Sequence, residues 1–251
     1  MDLEIRECKT VDELAGCVQL QRDVFALPEL EISPVRHFIV TRSAGGWTLG
    51  AFSAGELVGF VLSVPAYLRN ERAYYSHMTA VRSGDQGKGI GAKLKWAQRD
   101  RALADGVKYI KWTFEPVKAR NASFNLEKLG AVVREYQNNF YGTDYSTAST
   151  SDKKIGLASD RLFAEWPLEG AKVRALASNE LFVMSKADRE IVIPNDWSTL
   201  VKNDLENAVR VQLQVRSEFE SAFAEGLICR GFRRSEENPA YLLYRDQNEN
   251  L

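Results

Sequence analysis

The sequence is short of several residue types, and each scarcity removes a class of function. His37 and His77 are the only histidines in 251 residues, so a metal site built from several imidazoles is excluded for this chain alone. The three cysteines, Cys8, Cys17 and Cys229, are odd in number and far apart. That excludes a disulfide framework and any Cys-x-x-Cys metal or redox motif, and predicts three reduced core thiols. No apolar run approaches the roughly 18 residues of a membrane-spanning helix. The opening Met-Asp-Leu-Glu-Ile-Arg-Glu is acidic and lacks the basic-then-apolar order of a secretory leader. The expected compartment is the cytoplasm, with no membrane partner. An excess of one charge is missing too: 33 Lys and Arg against 34 Asp and Glu leave a formal −1, so no nucleic-acid partner is expected.

What is present is the balance of a globular chain, 45% hydrophobic and 27% charged. The length suits one large domain, or an ordinary domain with a smaller appended unit. Residues 3–7 alternate as a half-buried strand should, and Thr10 with Glu13 has the spacing of a capping box, which predicts a helix ending before Pro28. The stretch after Pro28 reads as loop. Two β-rich runs, 47–52 and 57–64, flank Ser53-Ala54-Gly55-Glu56 as an antiparallel hairpin, and a third run covers 73–81. Helix over 92–105, strand over 109–114, short helix over 121–129 and an extended run over 131–141 follow. The expected class is therefore α/β (α+β), a mixed and mostly antiparallel sheet flanked by helices.

Residues 143–160, crowded with Ser, Thr, Asp and Lys, read as a linker. Strands at 162–166 and 191–193, a long helix over 197–225, and strands at 227–232 and 241–244 come after it. The expected organisation is a domain over 1–145 and, over 146–251, a C-terminal strand–helix–strand extension packed on it. Three roles stand for that extension: a substrate-selecting cap, a homodimer surface, or a segment that only completes the fold.

The informative segment is Ala73-Tyr-Tyr-Ser-His-Met-Thr-Ala-Val81 followed by Arg82-Ser-Gly-Asp-Gln-Gly-Lys-Gly-Ile-Gly-Ala92, in the order strand, turn, helix. Glycines at 87, 89 and 91 leave backbone amides uncovered. The helix start adds unsatisfied amides and a positive dipole end, so an anionic pyrophosphate is a natural ligand, with Lys88 at the rim. Three glycines exceed what a tight turn alone requires. A nucleotide P-loop needs Ser or Thr directly after Gly-Lys, and Gly89 stands there instead. A dinucleotide fingerprint needs G-x-G-x-x-G, whereas this turn has G-x-G-x-G after a hairpin; Glu115, at the end of the next strand, keeps that alternative open.

Gln86-Gly87-Lys88-Gly89-Ile90-Gly91 resembles the Gln/Arg-x-x-Gly-x-Gly/Ala motif of the GNAT (GCN5-related N-acetyltransferase) superfamily. The run Trp112 to Gly130, ending Glu-Lys-Leu-Gly, is similar to that superfamily's next strand and helix, in a predicted-acetyltransferase branch. The resemblance covers about the first 145 residues. It implies an acyl-CoA-dependent N-acyltransferase with acetyl-CoA or another acyl-CoA as co-substrate, no metal, and a small-molecule or peptide amine as acceptor. By the same resemblance Gln86, Gly87, Lys88, Gly89, Ile90, Gly91 and Ala92 would cradle the pyrophosphate, and Thr79, Ala80 and Val81 would border the pantetheine arm. Asn121 falls where the family often places an asparagine near pantetheine or substrate, and equally where a helix cap is needed.

Two positions bear on catalysis. Many family members carry a tyrosine four residues before the final glycine of this run, where it protonates the departing thiolate; here that residue is Leu126. Either another group such as Tyr141 or a water replaces it, or the thiolate leaves unassisted, which its pKa near 8.5 tolerates. The same residue leaves a non-catalytic acyl-CoA-binding module open, and O-acyl transfer is a further variant. His77 lies four residues before Val81, where many members place a catalytic glutamate. Strand alternation predicts Tyr75, His77 and Thr79 on one face, so His77 is either a general base or a hydrogen-bonded core residue, with Glu115 the next candidate base.

Overall fold

Glu13 turns back on the start of its own helix. Its amide donates to Thr10 Oγ1 at 3.2 Å, while its carboxylate accepts from the amides of Thr10 (3.0 Å) and Lys9 (2.7 Å). This is the predicted capping box, of a kind that stabilises a helix start by about 1 kcal/mol. The amide of Thr10, more than any other group, holds the Glu13 carboxyl down at about 2. In the computed structural model, which describes residues 3–25, 27–142 and 156–245, the helix so capped is α1 (Val11–Phe25). It buries Leu14, Cys17, Val18, Leu20 and Gln21.

Contacts divide the chain into two units, Met1–Lys111 and Trp112–Leu251, with the division inside a strand. The first unit holds β1 (Leu3–Glu7), α1, α2 (Val35–Ser43), β2 (Trp47–Ser53), β3 (Glu56–Leu68), β4 (Glu71–Val81), α3 (Ile90–Ala104) and the start of β5 (Tyr109–Phe114). Its strands lie in sequence order, antiparallel except for the parallel pair β4–β5. The predicted hairpin closes through Ala54 and Gly55, with φ of 49° and 81°, the left-handed pair that a two-residue turn requires. One face of the sheet carries α1 and α2 over a core of Cys8, Leu14, Cys17, Phe38, Phe60 and Leu62. The other face carries α3, whose Lys95 and Gln98 reach Ser76 and Ser63. Helix α2 departs from the loop expected after Pro28: the proline that discourages one helix is followed six residues later by Pro34, which starts another.

The register of β3 on β4 slips once. Leu62 faces Met78 but Ser63 faces Ser76, so His77 is the extra residue of a β-bulge. Beyond it Ala80 and Met78 lie with the α1–α2 core, and Val81 lies toward α3 and Gly91. By alternation Thr79 shares the α3 face, while His77 contacts His37 of α2. The expectation of Tyr75, His77 and Thr79 on one face is therefore corrected, because the bulge reverses the alternation at His77.

The second unit orders β6 (Val132–Gln137), β7 (Arg161–Pro167), β8 (Arg189–Val192), β9 (Leu227–Arg233) and β10 (Ala240–Arg245) as β7-β6-β9-β10-β8. Every neighbouring pair in that run is antiparallel. Its helices are α4 (Ala119–Ser123), which continues into a π-turn at Phe124–Lys128, then α5 (Ala171–Ala177), α6 (Trp197–Asn203) and α7 (Leu205–Ala224). The predicted helix over 197–225 is thus two helices, broken where Asp204 leaves helical geometry and caps α7 through the Asn207 amide at 3.0 Å. Trp166, Phe219 and Tyr241 are fully buried. Most of the predicted linker, 143–155, lies outside the described residues.

Candidate functional site

β4, the turn after it and the first turn of α3 are continuous chain within the first unit, and they carry most of the predicted site residues. The parallel ladder of β4 with β5 has three pairs, from Ala73↔Tyr109 to Tyr75↔Lys111. From Ser76 onward β4 pairs with β3, through contacts that include Thr79↔Val61, Ala80↔Phe60 and Val81↔Gly59.

The turn is tied to that strand. Gln86 Nε2 donates to the Val81 carbonyl at 3.0 Å, and the Arg82 amide donates to the Val58 carbonyl at 2.8 Å. Asp85 accepts from Arg82 Nε at 2.7 Å and from Lys88 Nζ at 2.8 Å. Lys88 first and Arg82 second hold its carboxyl below the usual range. Lys88, expected to add charge at the rim, is held by the turn itself.

The three glycines have different reasons. Gly87 and Gly89 both have φ of +80°, a conformation that disfavours any side chain, and Gly89 is the residue preceding α3. Gly91 has no such reason. Its φ is ordinary, and an added Cβ would meet only Val81 Cγ2 at 3.8 Å, normal contact. Neither backbone nor packing accounts for its bareness. Helix α3 also starts with no side-chain cap, so the amides of its first turn await an acceptor from outside. A glycine without an internal role beside an uncapped helix start fits a phosphate group approaching the backbone closely.

His77 Nε2 lies 3.5 Å from Ser33 Oγ, the long end of hydrogen-bond range. Its ring meets that of His37 nearly edge-on, with centroids 5.3 Å apart. Surrounding atoms desolvate it first, and His37 opposes a second positive charge, so its pKa is pushed down to about 4. The imidazole keeps solvent access, as a group that exchanges protons must. His37 and Ser33 were not singled out from sequence. The Ser33-Pro34 helix start was the available signal, masked by reading the segment as loop.

Glu115 and Asn121 belong to the second unit. The Glu115 carboxylate is paired with Lys118 and lies 3.9 Å from Arg161. Asn121 is exposed inside α4, whose preceding residue is Lys118; the capping alternative is therefore set aside, because the helix begins two residues before Asn121. Leu126 is completely buried in the π-turn. The Tyr141 hydroxyl lies 3.2 Å from Thr113 Oγ1.

The model of the acetyltransferase (GNAT) family matches residues 10–131. Residues 10–131 thus form a GNAT-type region, just under half of the 251-residue chain. The GNAT fold is equally evident in solved structures. The ribosomal-protein-S18-alanine N-acetyltransferase of Escherichia coli is 16% identical, with a TM-score of 0.51 over 68% of this chain and 96% of its own. An N-acetyltransferase of Staphylococcus aureus Mu50 is 15% identical, with a TM-score of 0.53 over 67% and 100%. A Salmonella typhimurium protein described as an acetyltransferase, solved with its cofactor acetyl-CoA, is 16% identical, with a TM-score of 0.53 over 67% and 95%. No curated protein sequence matches the chain. Among the described residues, no helix is long and apolar enough to cross a membrane.

Proposed function

We propose that this protein binds an acyl-CoA, in the first instance acetyl-CoA, on the 86–92 turn and transfers its acyl group to a primary amine. The observation that carries the reading is Gly91, bare without internal cause beside the uncapped start of α3. The resemblance of the fold to one acetyltransferase solved with acetyl-CoA supports it. Gln86 to Ala92 would hold the pyrophosphate through backbone amides, and Thr79 to Val81 would align the pantetheine along the end of β4. The bound thioester supplies an activated acyl group. His77 would accept the proton the amine sheds as its nitrogen bonds to the acyl carbon and the carbon–sulfur bond breaks. A neutral imidazole suits that task, and its lowered pKa keeps it unprotonated through physiological pH. Glu115, ion-paired, is the second candidate base.

Leu126 favours one other reading, a non-catalytic module that binds acyl-CoA, since no proton donor stands at that buried position. One pair of measurements separates the two. Acetyl-CoA should raise the melting temperature while NAD and ATP do not, and a panel of amines should then release free CoA thiol. Equal stabilisation by NAD would overturn the pyrophosphate reading. Stabilisation without thiol release across the panel would leave the binding module.

A further inference from the structure

Gln21 is a polar side chain on the apolar face of α1 with only 1% of its surface exposed. Such a group is costly unless satisfied. Both ends of its amide serve one residue: Gln21 Nε2 donates to the Ser33 carbonyl at 3.1 Å, and Gln21 Oε1 accepts from the Ser33 amide at 3.0 Å. The clamp fixes the chain immediately before Pro34, where α2 begins. It holds the Ser33 hydroxyl opposite His77 Nε2, at a bulge 44 residues away in sequence. Near the start of α2, the His37 ring meets the same imidazole nearly edge-on and is the titratable group acting on it.

We propose that Ser33, locked by Gln21, is a positioning residue that accepts the His77 Nε2–H and thereby fixes the tautomer in which Nδ1 carries the free lone pair for the acceptor. The proposal rests on the reading of His77 as general base, and it adds what that reading lacks, a cause for one imidazole nitrogen rather than the other to be the base. A bulged residue has no partner across the strand to orient it, so its orientation has to come from the helix side. The 3.5 Å separation is the long end of hydrogen-bond range.

Having two histidines makes the test direct. In the tag-free, 15N-labelled chain without ligand, the imidazole nitrogens of His37 and His77 are assigned by comparison with His77→Gln. The His77 signals should be those of the Nε2–H tautomer. Ser33→Ala and Gln21→Leu should move them toward a tautomer mixture and lower kcat roughly tenfold, leaving KM for acetyl-CoA unchanged, and Ser33→Thr should restore both. An Nδ1–H tautomer in the wild type, or a Ser33→Ala spectrum identical to it, overturns the proposal. The two failures are separable. If His77→Gln keeps full activity while Ser33→Ala still shifts the imidazole signals, positioning stands and the general base is lost. If His77→Gln is slow and Ser33→Ala changes neither signals nor kcat, positioning is lost and the base stands.

Discussion

Ser63 of β3 faces Ser76 of β4 while the adjacent Leu62 faces Met78, so His77 has no counterpart across the strand. The one exposed imidazole on β4 therefore sits where the ladder is locally broken, free to be oriented by α2.

The depressed His77 pKa has a consequence for stability. Its folded value, about 4, lies below the unfolded value of about 6.5. As pH falls through that interval the unfolded chain takes up a proton that the folded chain refuses, so stability is lost progressively between about pH 6.5 and pH 4. Urea titrations at pH 7.5 and pH 5 should show a smaller loss for His77→Gln than for the wild type. Equal losses would mean that the imidazole titrates alike in both states.

Gly91 and Gly89 should behave oppositely on substitution. Gly91→Ala places a helix former where backbone and space allow it and should raise stability by up to about 1 kcal/mol, while weakening acetyl-CoA. Gly89→Glu should cost stability, since φ is +80°, and abolish the acetyl-CoA thermal shift by setting a carboxylate where the pyrophosphate would lie. A folded Gly89→Glu protein that binds acetyl-CoA normally means the turn is not the site.

Lys95, only 3% exposed, donates to Ser76 Oγ at 3.0 Å, and burial pushes its pKa well down. At neutral pH the unfolded lysine holds a proton more readily than the folded one, so the wild type gains stability as pH rises toward about 10. Lys95→Met should be more stable near pH 7, with the advantage shrinking by pH 9.5. Melting curves of both proteins at the two pH values measure it; a constant difference would show a fully charged, fully compensated ammonium.

Asp160 organises part of the second unit. At 1% exposure it accepts from Arg216 Nε at 3.0 Å and Nη2 at 2.9 Å, the Tyr136 hydroxyl at 2.7 Å and the Asn139 amide at 2.9 Å. Asp160→Ala strands a guanidinium and should cost about 3–5 kcal/mol. Arg216→Met in the same background should recover part of the loss, read as non-additivity in a double-mutant cycle by chemical denaturation. Strict additivity would mean that the two side chains do not interact in solution.

Strands β2 to β4, the glycine turn and α3 were legible in the sequence because their signals are local: alternation, Ala54-Gly55, and glycines ahead of a helical run. Helix α2 was not, since the loop expected after Pro28 runs on past Pro34, which is a helix start. Nor was the break at Asp204, where the apolar pattern runs on across two helices and only a capping aspartate marks the junction. The bulge at His77 is a property of two strands, so alternation along one of them wrongly groups Thr79 with His77. Ser33, His37 and Gln21 gather around His77 through tertiary packing, which no spacing in the chain encodes.

The side chains around the turn cancel: Arg82 and Lys88 contribute two positive charges, and Asp85 and Glu56, their partners at 2.7, 2.8 and 3.1 Å, two negative ones. What remains to attract an anion is a set of amide dipoles, whose influence fades within about one helical turn, and the exposed Lys93 in the first turn of α3. Recognition at the turn is therefore mostly short-range, with little for bulk salt to screen beyond that one ammonium.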